Sequence, residues 1–213
     1  APDEDPHCVG FDNRRAGGLV ARYLLELGHR RFGMIAGPRR DNDRAEGRVA
    51  GVRAVLDEAG LLSPVDVLQV LGWPSGVTGE APWLVESPYT FDAARTAARA
   101  LLTSPERPTA LVCGNDILAL GALRECQSLG LAVPGQVSIT GFDDLALARQ
   151  ATPALTTIRV STARMGEAAA EFVLAEAFVV ASAILAAGLA LTSVLRTNAP
   201  RYRLLAALMA AAL

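Results

Sequence analysis

Three short apolar runs, each ending in a cluster of glycine and polar residues, restrict what this chain can fold into. Phe32–Ala36 runs into Gly37-Pro38, Ala110–Cys113 into Gly114-Asn115-Asp116, and Val137–Thr140 into Gly141-Phe142-Asp143-Asp144. Each reads as a β-strand that hands over to a helix. In an open α/β sheet, ligands settle in the crevice beyond the carboxyl ends of the parallel strands, because the backbone turns there and side chains converge. The pattern therefore predicts a small-molecule site at these strand ends.

Helical segments fill the gaps between the strands. Asp12 or Asn13 can cap a helix from about Arg14 to Leu27, with Leu19, Tyr23, Leu24 and Leu27 on one face and Gly28 as its stop. Asp43, with Glu46 three residues on, has the form of a capping box for a helix to about Ala59, buried through Val49, Val52, Val55 and Leu56. Val65–Leu71 reads as a strand, and Gly72–Trp83 as a Gly- and Pro-rich loop before the apolar run Trp83-Leu84-Val85. Thr90 can cap a helix to about Leu102, and Asp116 begins another that points Ile117, Leu120 and Leu123 inward. A last strand over Thr156–Val160 precedes a helix from about Thr162. Strands alternating with helices of about a dozen residues are the mark of right-handed βαβ units, so the expected fold class is α/β, with a doubly wound parallel sheet.

Composition excludes several function classes. A formal charge of −2 and a pI near 5.7 give no basic field for nucleic acid. All 20 basic residues are Arg, which removes Schiff-base, P-loop and Ser-Lys chemistry. Cys8, Cys113 and Cys126 are too few and too scattered for a disulfide framework or a zinc site, so neither metal nor cofactor is expected, and a reducing cytoplasm is. Ala1–His7 is acidic and Pro-rich and has no form of a secretory leader. The sequence holds no G-x-S-x-G, H-E-x-x-H, Walker or G-x-G-x-x-G signature, and with only His7 and His29 a His-based catalytic network has no material. Cys113 reads as a small buried hydrophobe rather than a nucleophile. No enzymatic activity is expected.

Four residues are the candidates for a ligand site. Asp143 follows a strand and a glycine, so its carboxylate can accept paired hydroxyl hydrogen bonds; the alternative is a helix cap, a role better suited to Asp144. Asn115 offers a donor and an acceptor at a second strand end, or else only turns the chain beside Asp116. Arg48, four residues after Arg44, can present a fork of donors to vicinal oxygens, or lie solvated on its helix face. Tyr89 can stack on a ligand just ahead of a helix, or sit as a loop aromatic. His29 reads as ordering the turn from helix to strand.

In order along the chain stand Leu27-Gly28-His29-Arg30-Arg31, Ile35-Ala36-Gly37-Pro38, Arg48-Val49-Ala50-Gly51, Pro108-Thr109-Ala110, Gly114-Asn115-Asp116, Gly141-Phe142-Asp143-Asp144 and Pro153-Ala154-Leu155-Thr156-Thr157-Ile158. This series closely resembles the LacI/GalR family of bacterial transcription regulators over about residues 9–174. The resemblance implies one lobe of a two-lobed periplasmic-binding-protein-like core that closes on an effector, often a sugar or nucleobase, in a homodimer whose operator DNA is held by a separate N-terminal helix-turn-helix module. It also implies that Arg48, Tyr89, Asn115 and Asp143 line the effector cleft, with Asn42 and Arg44 varying with ligand chemistry. Effector binding would then alter operator affinity.

On this reading residues 1–155 form the C-terminal lobe, 156–176 are the crossover strand and helix of an incomplete N-terminal lobe, and 177–213 are a helical apolar tail unlike the family. The resemblance then implies that the DNA-binding module and most of the N-terminal lobe are not encoded in these residues. The tail contains no acid, and Phe178–Leu195 is an uncharged apolar run of about bilayer-spanning length; it reads first as a frameshifted or misjoined reading frame and second as a membrane-spanning fusion with membrane contact over 178–195. The competing function is the sugar-binding component of an ABC-type transporter, which shares the fold and the crevice.

Overall fold

The computed structural model describes residues 9–62, 78–81 and 83–211. The elements in order are α1 (Asn13–Glu26), β1 (Phe32–Ala36), α2 (Asp43–Glu58), β2 (Thr78–Ala81), β3 (Leu84–Glu86), α3 (Phe91–Leu102), β4 (Ala110–Cys113), α4 (Asp116–Ser128), β5 (Ser138–Phe142), α5 (Ala146–Gln150), β6 (Thr156–Ile158) and α6 (Thr162–Ala211). The strand expected over Val65–Leu71 lies outside the described residues. The loop expected over Gly72–Trp83 is in part a strand: β2 pairs antiparallel with β3, with a register shift between Gly79 and Ala81. Thr-Gly-Glu-Ala has no apolar alternation to announce it, and an edge strand is specified by its partner as much as by its own sequence.

The six strands stand in the order β2-β3-β1-β4-β5-β6, and every pair except β2·β3 is parallel. Side chains alternate across the sheet, as a period of two requires. Met34, Ala36, Leu84, Ala110, Val112 and Phe142 pack under α1 and α2, whereas Ile35, Val85, Leu111, Cys113 and Ile139 pack under α3 and α4. Both faces are covered, so these strands read as continuous apolar runs. This is the doubly wound parallel sheet that the alternation of elements predicts.

The helix faces hold three corrections. Leu19, Tyr23 and Leu27 of α1 are exposed, and its buried stripe is Ala16, Gly17, Gly18, Val20, Ala21 and Leu24. The reason is the closeness of α2: a Cβ on Gly17 would overlap the Arg48 backbone carbonyl, and one on Gly51 would overlap that of Arg14. Small residues face inward because the two backbones nearly touch. In α4 the inward set is Leu118, Ala119, Ala122, Leu123 and Cys126, with Ile117 and Leu120 only half-buried. The cap of α2 is Asn42 rather than Asp43, its side chain accepting from the Ala45 N–H at 3.2 Å.

The sheet and its helices form one compact unit that runs to Ser161, and α6 forms a second. β6, which the sequence assigns to the crossover segment 156–176, is hydrogen-bonded to β5 in this sheet through Thr156, Thr157 and Ile158. The helix predicted from Thr162 is present and runs unbroken across the boundary at 176–177. Within it, Thr162–Ala190 is long and apolar enough to cross a bilayer by length and composition, with a mean hydropathy of 2.2 in its most apolar stretch.

Candidate functional site

The topology places the crevice. From β1 the chain crosses to β3 on one side, and it returns through α3 to β4 on the other, so the strand order reverses between β1 and β4. In an open α/β sheet such a reversal is where a ligand crevice forms, outside the carboxyl ends of the two strands. Gly37 and Gly114 occupy it. The Gly114 N–H donates to the Ile35 carbonyl at 2.7 Å, and a Cβ on Gly37 would overlap the ring of Tyr89. β5 lies next to β4 and ends at Phe142, which brings Asp143 to the same edge.

Arg48 crosses this edge from α2. It is 9% exposed, which rules out a solvated helix-face arginine. Its Nε donates to Asn13 Oδ1 at 2.9 Å, its Nη1 donates to the Gly114 carbonyl, and its guanidinium carbon lies 4.6 Å from the centre of the Phe142 ring. The remaining nitrogen, Nη2, stands 3.7 Å from Asp143 Oδ1. Burial pulls the guanidinium below the usual arginine range, and Asp143 acts against that shift. A delocalised cation tolerates this environment because Nε and Nη1 each have a fixed acceptor and the guanidinium lies against a π-face. The fork expected to reach over the crevice is therefore mostly engaged within the protein, and the side toward Asp143 is what it presents.

Asp143 has φ 103°, a conformation that disfavours any side chain, and its carboxylate is 37% exposed. Its N–H donates to the Ile158 carbonyl at 2.8 Å. It is not a cap: α5 has Leu145 at its N-cap position and no side-chain capping bond. Nor is Asp144, whose carboxylate is held by Arg149 at 2.7 Å and by Arg159, and so titrates at about 2. Asn115 caps α4, its Oδ1 accepting from the Leu118 N–H at 2.9 Å, beside the glycine that Arg48 grips. Tyr89 is 43% exposed, its ring against Gly37 and its hydroxyl accepting from Asn42 Nδ2 at 3.3 Å. Arg44 is exposed on the first turn of α2.

Arg48, Asn115 and Asp143 thus meet at one rim of the sheet, with Tyr89 on the β1 side. A residue that the sequence reading left without a role also belongs to this rim. Asp116, fully buried, accepts from the Leu145 N–H at 2.7 Å and from the Thr157 hydroxyl at 2.6 Å. Gly141 makes room for it, since a Cβ there would overlap Asp116 Oδ1.

His29 lies at the opposite end of the strands. It bonds Thr109 Oγ1 and Ser138 Oγ, both at 3.0 Å, and joins the amino ends of β4 and β5, as an ordering role requires. Cys113 is fully buried and its thiol is pushed far up by desolvation, which leaves no thiolate for nucleophilic chemistry. Among the described residues no cluster of His, Cys, Asp and Glu is arranged to hold a metal ion.

The model of a periplasmic binding protein-like domain matches residues 21–189. The HTH-type transcriptional repressor PurR of Escherichia coli is 39% identical over 160 residues, covering 75% of this chain and 42% of that protein. Among solved structures, a LacI-family regulator from Burkholderia phymatum is 33% identical with a TM-score of 0.64, over 78% of this chain and 54% of that one. The complex of the regulator CelR with cellobiose is 30% identical with a TM-score of 0.64, over 76% and 45% respectively. The chain belongs to the periplasmic-binding-protein-like family, in its LacI/GalR branch. It spans less than half the length of the PurR sequence that it matches. These LacI/GalR relatives are transcription regulators, not enzymes, and that finding overturns the alternative of an ABC-type transporter component.

Proposed function

We propose that this chain is the effector-sensing part of a LacI-type transcriptional regulator, and that a sugar is its effector. The observation that carries the reading is the pairing of Arg48 with Asp143, 3.7 Å apart, at the switch point of a LacI/GalR core. The half-exposed Asp143 carboxylate accepts from vicinal hydroxyls, Arg48 Nη2 and the Asn115 amide donate, and the Tyr89 ring offers an apolar face to a sugar ring. The relative solved with cellobiose supports that ligand class.

In this reading residues 1–155 supply one wall of the cleft, and the intact regulator is a cytoplasmic homodimer that reaches operator DNA through an N-terminal module. Closure on the effector changes the relation of two lobes, and operator affinity changes by the reciprocal coupling. The test is a thermal-shift panel of sugars and nucleosides on the intact regulator, followed by calorimetry on Asp143→Ala. A sugar raises the melting temperature, and Asp143→Ala weakens its binding about tenfold or more, the effect of removing one desolvated partner worth about 1 to 3 kcal/mol, while operator affinity is retained. Unchanged sugar affinity removes Asp143 from the site, and a response to nucleosides alone replaces the sugar class.

The apolar α6 carries a second reading. Phe178, Val179, Val180, Ile184, Leu185 and Leu189 are all exposed, and an apolar surface of this kind marks a protein or lipid contact. Partition of the chain between membrane and soluble fractions, with and without residues 177–213, decides whether 178–195 enters a bilayer.

A further inference from the structure

The turn that carries Asp143 is held by a residue that no ligand would touch. Asp143 and Asp144 are consecutive residues at positive φ, 103° and 52°. Such a pair costs free energy in an unconstrained chain and persists only where its surroundings over-determine it. Here three successive amides are fixed. The Asp143 N–H donates to the Ile158 carbonyl at 2.8 Å, the Asp144 N–H to Thr157 Oγ1 at 3.3 Å, and the Leu145 N–H to Asp116 Oδ2 at 2.7 Å. The Thr157 hydroxyl in turn donates to Asp116 Oδ1 at 2.6 Å. Both oxygens of one buried carboxylate therefore end on this turn, one directly and one through a hydroxyl. The glycine at 141 leaves the space the carboxylate occupies.

Asp116 is the first residue of α4, and α4 begins where β4 ends, immediately after Gly114 and Asn115. Gly114 is the residue whose carbonyl Arg48 grips. The same short segment thus fixes Arg48 from one side and, through Asp116, the backbone of its ionic partner from the other. We propose that Asp116 is a positioning residue, which from beneath the β5–α5 turn sets the Asp143 carboxylate opposite Arg48. Its bearing on effector recognition rests on the reading of Asp143 given above. The mechanical coupling does not.

The experiment is amide hydrogen exchange and carboxyl carbon NMR on this chain without ligand. In Asp116→Ala the amides of Asp144 and Leu145 exchange about tenfold faster or more, the effect of one lost buried hydrogen bond, while Met34 and Val112 in β1 and β4 keep their rates. Asp116→Asn retains one acceptor and restores protection at Leu145. Thr157→Val, which changes little volume and leaves Asp116 in place, frees the Asp144 amide alone.

The carboxyl resonance of Asp143 moves when Arg48 is replaced by Lys in the wild-type background and no longer moves in the Asp116→Ala background. Unchanged exchange at 144 and 145, or a rise shared equally by Met34 and Val112, overturns the proposal, since the latter is what a loss of general stability gives. Should Asp116→Ala fail to fold, Thr157→Val decides by the same criterion at Asp144. Failure of Asp143→Ala to weaken effector binding would overturn the functional reading and leave this coupling standing.

Discussion

The two helix pairs that sandwich the sheet both combine close glycine contacts with an ion pair, but the ion pair is exposed in one, Arg22–Glu58, and has a buried carboxylate in the other. α1 and α2 meet through glycines, with backbone against backbone at Gly17 and Gly51. α3 and α4 also contain a close contact at Gly121, but between them lies a charge: Glu125 is 1% exposed and is gripped by Arg95 at 3.2 Å and by Arg99. Close backbone packing has no slack, whereas an ion pair made by two half-exposed arginines can adjust. The rigid pair is the one that carries Arg48. Its Nε reaches Asn13 at 2.9 Å because the glycines let α1 and α2 approach so closely.

The largest effect should come from breaking that approach. Gly51→Ala places a methyl on the Arg14 carbonyl, a backbone atom that cannot rotate away, and should cost about 3 kcal/mol, the upper range for overpacking. Gly18→Ala, one position from Gly17 but with its nearest neighbour Val55 at 3.5 Å, should instead gain about 0.5 to 1 kcal/mol from helix propensity. Urea denaturation of the pair measures both, and similar midpoints would refute the role given to close packing.

The charged pair should yield less. Glu125→Gln keeps the shape and removes the charge, and its arginines have side chains 38% and 53% exposed. The expected cost is about 1 kcal/mol, the net value of one hydrogen bond, since the buried Gln carbonyl still accepts from one arginine and the other returns to water. A loss as large as that of Gly51→Ala would mean that both faces are equally rigid.

The same contrast explains what was legible in the sequence. Strand ends and caps are local, so Phe32–Ala36, the Thr90 cap and the clusters at Gly114 and Gly141 could be read directly. Those ends bring Asn115 and Asp143 to one edge, and the family resemblance adds Arg48 to it. What could not be read depends on a distant partner. Leucines at helical spacing made Leu19, Tyr23 and Leu27 look inward, because nothing in α1 alone reveals that α2 presents glycines. Glu125 looks like any helix-face acid until α3 is laid beside it. Asp116 and Asp144 read as helix-start residues and Arg48 as a free fork of donors, and each takes its observed role from groups outside its own element.

The strand ends extend the comparison to pH. At the amino ends, β4 and β5 are joined by a neutral contact, His29 between Thr109 and Ser138; at the carboxyl ends, Asp144 is held by Arg149 and Arg159. Burial lowers the His29 pKa from 6.5, so between pH 6.5 and the folded value the unfolded chain binds more protons than the native one. The His29 contribution is complete above pH 6.5 and is lost as pH falls through the folded pKa. Asp144 titrates at about 2 against an ordinary 3.8, so its contribution is complete above pH 3.8 and is lost only as pH falls toward 2. Acid should therefore loosen the amino ends first. In thermal melts from pH 7 to pH 2, His29→Gln should flatten the upper part of the decline and Asp144→Asn the lower part. These are the smallest of the expected effects, because both groups are partly wetted, and water screens what each contributes. If His29→Gln leaves the slope between pH 7 and 5 untouched, the amino ends are not fastened by a neutral imidazole, and the comparison does not extend to the strand ends.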